Sequence, residues 1–251
     1  MSPRPNKFYE PGTERASRVN DLFATIAPRY DLINDLQSFG LHRWWKRRMI
    51  HLANPQPSET ALDLCCGTGD IAFRLASRGA EVTGLDFSEA MLAVASERTL
   101  DVGSNPSPLF VQGDALHTHL PDAAYDIVTI SYGLRNLSDW RRGLREMWRV
   151  AKPGGRVLVL DFGKPDVAWW RQLYFAYLRV WVPRFGRWFF SDADTHGYIY
   201  ESLLQYPAQR GVEAEMRTMG FEEVRVVNIL GGIMAINMGR KPLAVESRRA
   251  S

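Results

Sequence analysis

The feature that most constrains the fold is the stretch from residue 61 to residue 76, ALDLCCGTGDIAFRLA. An apolar run reaches Asp63, the turn Gly67-Thr68-Gly69 follows, and a helical pattern begins directly afterwards. Glycines in such a turn accept backbone angles that other residues avoid, and they leave no Cβ between the main chain and a ligand. The stretch therefore predicts a strand, a ligand-binding loop and a helix in succession.

Strand-like and helical patterns alternate from residue 60 onwards. Five runs have strand character, namely ALDLC, EVTGLDF, LFVQGD, YDIVTIS and GRVLVLDF, and helices are predicted at Ile71–Ser77, Ser88–Glu97 and Trp140–Val150. This alternation is typical of an α/β fold with a doubly wound, mostly parallel sheet. Two further runs, VRVVNIL and GIMAINMG, flank Gly231-Gly232 and predict a terminal antiparallel hairpin, which completes a Rossmann-like sheet of seven strands.

A single domain over residues 18–241 accounts for these patterns. Helical spacing ahead of the first strand predicts an N-terminal helical cap at about 18–55, and a helical insertion at about 164–210 precedes the last strands. Residues 1–17 and 242–251 are predicted to be a flexible N-terminus and a flexible tail.

Composition excludes several classes of protein. The net charge of +3 does not indicate a nucleic-acid partner. Cys65 and Cys66 are the only cysteines, and adjacent thiols neither staple distant parts of a fold nor match the ligand spacing of a zinc site. The sequence also lacks an apolar run long enough for a signal peptide or a spanning helix. We therefore expect a cytoplasmic protein without a metal.

The glycine loop by itself fits two kinds of cofactor. Gly67 to Ala72 matches G-x-G-x-x-A, and Asp86 follows Gly67 by 19 residues, where an acid can accept hydrogen bonds from ribose hydroxyls. A nicotinamide-dependent dehydrogenase would share this pattern. Asp63 and Asp70, which flank the loop, would repel a pyrophosphate but suit the cationic methionine end of S-adenosylmethionine.

Two later segments favour S-adenosylmethionine. Asp114 in QGDA ends the third strand, where its side chain can meet the amino group of an adenine. RVAKPGGRVLVLDF gives the helix, Pro-Gly-Gly turn and strand that are typical of Rossmann-like class I methyltransferases. Asp63 has an alternative role in capping a turn, and Ser131 in closing its own strand end. The predicted cofactor-binding residues are Asp63, Gly67, Thr68, Gly69, Asp86, Asp114, Ala115 and Ser131.

Four segments resemble one enzyme family, the quinone-biosynthesis C-methyltransferases called UbiE or MenG. They are IAPRYDLINDLQSFGLHRWWKR, TISYGLRNLSDW, SDADTHGYIYESLLQYP and GGIMAI, and the resemblance covers residues 18–241. The resemblance implies C-methylation of a polyprenyl hydroquinone, and demethylmenaquinol is the favoured substrate. The alternative is that the enzyme methylates a methoxy-benzoquinol of ubiquinone biosynthesis, or both substrates. The resemblance also places five residues on the family's S-adenosylmethionine positions, namely Thr68, Asp86, Asp114, Ala115 and Ser131.

The chain departs from this family at two places. Cys65-Cys66 stands where the family often has Ala-Gly before GTGD. Tyr132 stands where the family usually has phenylalanine, which keeps the ring and adds a hydroxyl. Neither exchange conflicts with the resemblance.

The chemistry of a hydroquinone indicates candidate catalytic residues. A reduced ring attacks a methyl sulfonium best as its phenolate, although a phenol has a pKa of about 10. Arg135 and Asn136 follow the fourth strand, and we predict that Arg135 stabilises the phenolate while Asn136 orients the ring hydroxyl. Ser138 is predicted to cap the next helix. The candidate bases are Tyr30, Asp31, His42 and His196, with a water molecule as the alternative.

Residues 168–190 contain ten aromatic residues and four arginines but no acidic residue. This composition is typical of a segment at a membrane interface, so we predict contact with a membrane surface or with the polyprenyl tail. A lid over the active site or a homodimer contact is the alternative. Two other functions fit less well: a dehydrogenase leaves the Pro-Gly-Gly entry unexplained, and a non-catalytic scaffold leaves Asp86 and Asp114 unexplained.

Overall fold

The computed structural model describes Asp35, Ser38 and residues 40–102, 107–190 and 194–243. The helices in this part of the chain are α1 (Leu41–Ala53), α2 (Asp70–Ala76), α3 (Glu89–Val102), α4 (Trp140–Val150), α5 (Ala168–Phe190), α6 (Asp194–Gln205) and α7 (Ala208–Thr218). The strands are β1 (Thr60–Leu64), β2 (Glu81–Asp86), β3 (Leu109–Gln112), β4 (Tyr125–Ser131), β5 (Ala151–Phe162), β6 (Glu222–Ile229) and β7 (Met234–Arg240). Short 3₁₀ turns form at Leu134–Asn136 and Leu230–Gly232.

The seven strands form one sheet in the order β3-β2-β1-β4-β5-β7-β6. The first five pair in parallel, whereas β7 runs antiparallel to both β5 and β6. The predicted parallel sheet with a terminal antiparallel hairpin is therefore confirmed. The strand order reverses beside β1, and open α/β sheets bind ligands at the carboxyl ends of the strands at such a point.

Helices cover both faces of the sheet because its central strands are apolar on both sides. In β5, Val157 and Val159 pack with α4, α5, α6 and α7. Leu158 and Leu160, on the other face of the same strand, pack with α1 and α2. Successive residues of a strand point to opposite faces, so a continuous apolar run is what a strand buried between two helical layers requires.

The Pro-Gly-Gly segment lies within β5 rather than ahead of it. Ala151 pairs with Tyr125, the register then shifts, and Arg156 pairs with Ile127. Gly154 takes a φ of +78° inside this irregular stretch. The predicted turn is thus a bulge that interrupts a longer strand.

The start of α4 also differs from the prediction. Asp139 is the N-cap residue, and its carboxylate accepts a hydrogen bond from the N–H of Arg142 at 3.0 Å. The prediction of Ser138 is wrong by one residue. Serine and aspartate are both favoured N-caps, so the sequence offered two adjacent candidates.

The predicted insertion consists of α5 and α6, which pack against each other. Tyr174 and Leu178 anchor α5 in the core. Among the described residues no helix is both long enough and apolar enough to cross a membrane. Residues 1–17 and most of the predicted tail lie outside the described residues, so their flexibility stays a prediction.

The N-cap gives a direct test of this part of the fold. Asp139→Ala should lower the free energy of unfolding by about 1 kcal/mol, because the first turn of α4 loses its side-chain acceptor. Ser138→Ala is the matched control and should change it by less than about 0.5 kcal/mol. Urea denaturation followed by circular dichroism measures both values. A larger loss in the Ser138 variant would contradict the observed cap.

Candidate active site

A cleft opens at the carboxyl ends of β1 and β4, beside the start of α2. The volume of the cleft, including the part that is open to solvent at its mouth, is about 320 Å³. Four of the predicted cofactor residues line it, namely Asp63, Gly67, Thr68 and Ser131. The other lining residues are Lys46, Cys65, Cys66, Asp70, Ile71 and Tyr132.

The loop after β1 takes its shape from left-handed backbone angles. The φ angle is +51° at Cys65, +55° at Gly67 and +82° at Gly69. A Cβ on Gly69 would lie 2.7 Å from the ring of Phe110, so this position needs glycine for space as well as for its backbone angle. A Cβ on Gly67 would meet no described heavy atom within 4 Å. The main chain at Gly67 therefore faces open space in which a ligand can approach.

Of the two cysteines of this loop, Cys66 is buried and Cys65 is partly buried. Burial raises the pKa of both thiols, at Cys65 and at Cys66, so both stay protonated at neutral pH. A protonated thiol behaves as a small apolar group rather than as a nucleophile. These residues therefore serve the packing of the loop.

Asp86, at the end of β2, holds the loop in place. Its carboxylate accepts hydrogen bonds from the N–H of Gly67 at 2.8 Å and from the N–H of Ser88 at 2.9 Å. Burial raises the pKa of Asp86, while these main-chain bonds act in the opposite direction. Each carboxylate oxygen can accept two hydrogen bonds, so capacity remains for the hydroxyls of a ribose.

Asp63 is a buried carboxyl group in the floor of the cleft. Its side chain is 1% exposed, and it accepts a hydrogen bond from the hydroxyl of Thr129 at 2.8 Å. Burial raises the pKa of Asp63 to about 7, and the nearby carboxylates of Asp86 and Asp70 add to this rise. A positive charge in the cleft would favour the ionised form, since an opposite charge lowers the pKa of a buried carboxyl group.

Lys46 is a cleft residue that the sequence interpretation missed. It comes from α1, is 4% exposed, and donates a hydrogen bond from Nζ to Oδ2 of Asp70 at 2.8 Å. Arg74 also binds Asp70, from Nε to Oδ1 at 3.0 Å. Burial raises the pKa of Asp70, but Lys46 and Arg74 together outweigh it and bring the value to about 2. Lys46 belongs to the buried side of α1, next to Trp45 and Met49, and this periodicity was the available signal.

Asp114 and Ala115 follow β3, two strands away from β1 in the sheet. Asp114 is exposed, and its carboxylate accepts a hydrogen bond from the N–H of Leu116 at 2.8 Å. Ala115 is buried. The N–H of Gly113 donates to the carbonyl of Asp86 at 2.9 Å, which connects this turn to the end of β2. Both predicted residues therefore lie beyond Asp86 as seen from the cleft.

The hydroxyl of Ser131 tests whether the cleft fits a polar ligand. The Oγ atom is buried and has no hydrogen-bond partner among the described residues. Buried polar atoms are nearly always paired, so an unpaired hydroxyl in the wall of a cleft indicates a missing partner. Together with the open space above Gly67 and the free acceptor capacity of Asp86, it fits the predicted S-adenosylmethionine.

Arg135 lies behind the cleft in a buried ion pair. Its Nη1 donates to Oδ1 of Asp161 at 2.7 Å and to the carbonyl of Tyr132 at 2.6 Å. The guanidinium also lies 4.8 Å from the ring centre of Phe162. Asn136 donates from Nδ2 to the same carbonyl of Tyr132 at 3.0 Å. Both predicted catalytic residues therefore hold Tyr132, which lines the cleft and has a φ of +60°.

One of the four candidate bases has a described side chain. His42 is buried on α1, and its Nδ1 lies 2.9 Å from the hydroxyl of Ser38. Burial and the charge of Lys46 lower the pKa of His42, which favours the neutral imidazole that a base requires. Tyr30, Asp31 and the side chain of His196 lie outside the described residues.

Residues 12–241 match the model of the ubiE/COQ5 methyltransferase family. The chain belongs to this family. The ubiquinone/menaquinone biosynthesis C-methyltransferase UbiE of Ectopseudomonas mendocina is 41% identical over 235 residues, which are 92% of this chain and 92% of that protein. The demethylmenaquinone methyltransferase of Desulfitobacterium hafniense is 38% identical over 237 residues, again 92% of each chain.

Solved structures support the same fold. An S-adenosylmethionine-dependent methyltransferase of Thermotoga maritima has a TM-score of 0.62 at 18% identity, over 88% of this chain and 99% of that one. Phosphoethanolamine N-methyltransferase 2 of Haemonchus contortus, solved with S-adenosyl-L-methionine, has a TM-score of 0.59 at 17% identity, over 78% of this chain and 52% of that one. The predictions of the family, the methyltransferase fold and S-adenosylmethionine as cofactor are confirmed at the level of family and fold.

The raised pKa of Asp63 gives a test of the cofactor site. A pKa of about 7 leaves most Asp63 side chains protonated at pH 6.0 in the free protein. The cationic end of S-adenosylmethionine should ionise them, so binding should release up to about one proton. Calorimetric titration at pH 6.0 in two buffers of different ionisation enthalpy measures this number.

The matched variant is Asp63→Asn, which keeps the shape of the side chain but has no proton to release. Its proton release on binding should fall to near zero, and its affinity for S-adenosylmethionine should fall by about tenfold or more. Equal proton release by the variant and the unaltered protein would show that another group titrates.

Proposed function

We propose that this protein transfers a methyl group from S-adenosylmethionine to a ring carbon of a polyprenyl hydroquinone, with demethylmenaquinol as its main acceptor. The observation that carries the proposal is the family match over residues 12–241, joined to a cleft that fits the cofactor. Relatives of similar identity are named both for menaquinone alone and for ubiquinone and menaquinone together. Methylation of a methoxy-benzoquinol, alone or as a second reaction, is therefore the alternative.

The acceptor must be the reduced ring. A quinone is poor in electrons and does not attack a sulfonium methyl group, whereas a phenolate pushes charge onto the carbon beside its oxygen. That carbon forms the new bond to the methyl group as the bond from methyl to sulfur breaks, and a proton then leaves the ring. S-adenosylmethionine supplies the methyl group, and the protein supplies alignment, exclusion of water and stabilisation of the phenolate.

The buried cation of Arg135 supports its proposed role near the phenolate. Its ion pair with Asp161 holds it at the carboxyl end of β4, directly behind Tyr132 in the wall of the cleft. Asn136 donates a hydrogen bond to the carbonyl of Tyr132, and we propose that it orients the ring hydroxyl of the substrate. His42 is the one candidate base with a described side chain: it is buried on α1, four residues before Lys46, and burial lowers its pKa. Tyr30 lies outside the described residues and stays a proposed catalytic residue.

Methyl transfer to two acceptors tests this function. We expect purified protein with labelled S-adenosylmethionine to label demethylmenaquinol under reducing conditions, and to label the oxidised quinone at a rate lower by about 100-fold or more, because the oxidised ring is a poor nucleophile. A short-tailed methoxy-benzoquinol, assayed in parallel, decides between one substrate and two. Absence of label in both quinols, with cofactor binding intact, would overturn the proposed substrate and leave the fold assignment standing.

An exposed surface of α5 supports contact with a membrane. Trp169, Leu173, Tyr177 and Trp181 recur every four residues along the helix, and all four side chains are exposed. We call these four residues the α5 face. Arg179 is also exposed on α5, and the described part of this helix has no acidic residue to repel anionic lipid. A polyprenyl substrate would lie in the bilayer, so a helix that exposes aromatic and apolar side chains together with an arginine is suited to contact it.

The tryptophans of the α5 face give the test. Trp169 and Trp181 are 68% and 65% exposed, so replacing both by serine should weaken binding to anionic lipid vesicles by about fivefold or more without lowering stability. Trp44→Ser is the matched control, since Trp44 is 54% exposed but lies on α1. Vesicle sedimentation measures binding. Unchanged sedimentation, together with loss of a dimer in analytical ultracentrifugation, would assign the face to a second copy of the chain instead.

A further inference from the structure

The charges in the cleft are unequal in number. Among the residues that line it in the described part of the chain, Asp63 and Asp70 are acids and Lys46 carries the one positive charge. Asp86 adds a further carboxyl group at the edge of the loop. A cleft that held only a cation would gain nothing from a buried lysine, because the lysine would repel it.

S-adenosylmethionine brings charges of both signs to this cleft. Its methionine end has a sulfonium, an ammonium group and a carboxylate. Asp63 and Asp70 suit the two cations, but the same acids repel the carboxylate. A carboxylate in a cleft shielded from water needs a cation or several hydrogen-bond donors beside it, since an unpaired buried charge is costly.

Lys46 has the position and the capacity to meet this need. Its side chain is 4% exposed, and within the described residues Asp70 Oδ2 is its one hydrogen-bond partner, at 2.8 Å. An ammonium group has three donors, so two remain for other acceptors. The amine also lies over the ring of Tyr132, 5.9 Å from its centre. These contacts hold the amine in place while leaving donors for a ligand.

The need to neutralise Asp70 does not by itself explain why a lysine is buried at position 46. Arg74 already pairs with the other oxygen of Asp70, at 3.0 Å, and it lies one turn further along the same helix. Arg74 is also more exposed, so it meets Asp70 at a smaller cost of desolvation. A second, fully buried cation on α1 is expensive unless it has a further partner.

We propose that Lys46 binds the carboxylate of the methionine end of S-adenosylmethionine, and that Asp70 positions the Nζ atom of Lys46 for this contact. The inference rests on the proposed function only in taking S-adenosylmethionine as the cofactor, and it assigns to α1 a share of the cofactor site. Lys46 and Asp63 then bind opposite charges of the same ligand. Lys46 pairs with its carboxylate, and Asp63 pairs with its cationic end. The helix that precedes the sheet thereby selects ligands that carry an amino-acid end.

A ligand without the carboxylate tests this proposal. Decarboxylated S-adenosylmethionine keeps the adenosine, the sulfonium and the amine but lacks the carboxylate. We expect the unaltered protein to bind S-adenosylmethionine about 10- to 100-fold more tightly than the decarboxylated ligand in calorimetric titration. Lys46→Met should bring the two affinities within about threefold by weakening S-adenosylmethionine alone.

Two variants serve as controls. Lys46→Arg keeps the charge and should keep most of the preference, and Arg74→Met removes the other partner of Asp70 and should leave the preference unchanged. Should Lys46→Met not fold by circular dichroism, Lys46→Gln replaces it, since the amide is polar but uncharged.

Two outcomes overturn the proposal. An equal loss of affinity for both ligands in the uncharged variant would show that Lys46 acts only on the structure of the cleft. No preference in the unaltered protein would show that the carboxylate has no cationic partner, while methyl transfer and the proposed function would stand. Failure of the unaltered protein to bind either ligand would instead refute the cofactor on which both proposals depend.

Discussion

The hydrogen bond from the N–H of Gly67 to the carboxylate of Asp86 joins the loop after β1 to the end of β2. The cleft opens beside this loop. Gly67 has a left-handed φ of +55°, which favours glycine at this position, and the bond requires a carboxylate at the end of the neighbouring strand. The parallel sheet meets this requirement, because it brings the carboxyl ends of β1 and β2 to the same edge.

Burial of charge in this cleft is better explained by binding than by stability. Asp63 and Lys46 are buried and Asp70 is partly buried, and buried ion pairs rarely repay their desolvation cost in stability. Their arrangement suits a ligand that carries charges of both signs. The fold tolerates them because two apolar layers, one on each face of the sheet, supply the burial that stabilises the domain.

The sequence predicted the sheet well because strands buried on both faces and amphipathic helices leave clear periodic patterns; α4 was predicted at the observed Trp140–Val150. It predicted the loop and Asp86 from spacing alone. Lys46 was missed because lysine is normally assigned to the surface, although its position on the apolar side of α1 indicated burial. The pairing of Arg135 with Asp161, 26 residues away, depends on the adjacent packing of β4 and β5, which no local pattern contains.

The backbone of Tyr132 has a φ of +60° and is held through its main-chain groups: its N–H donates to the carbonyl of Leu160 at 2.8 Å, and its carbonyl accepts two hydrogen bonds. Arg135 and Asn136 both donate to that oxygen, and neither bond depends on the side chain at position 132. Mutation can therefore exchange one aromatic ring for another at this position while the loop keeps its path. Under the proposed function, position 132 is therefore one at which single substitutions can change the lining of the cleft while the scaffold stays unaltered.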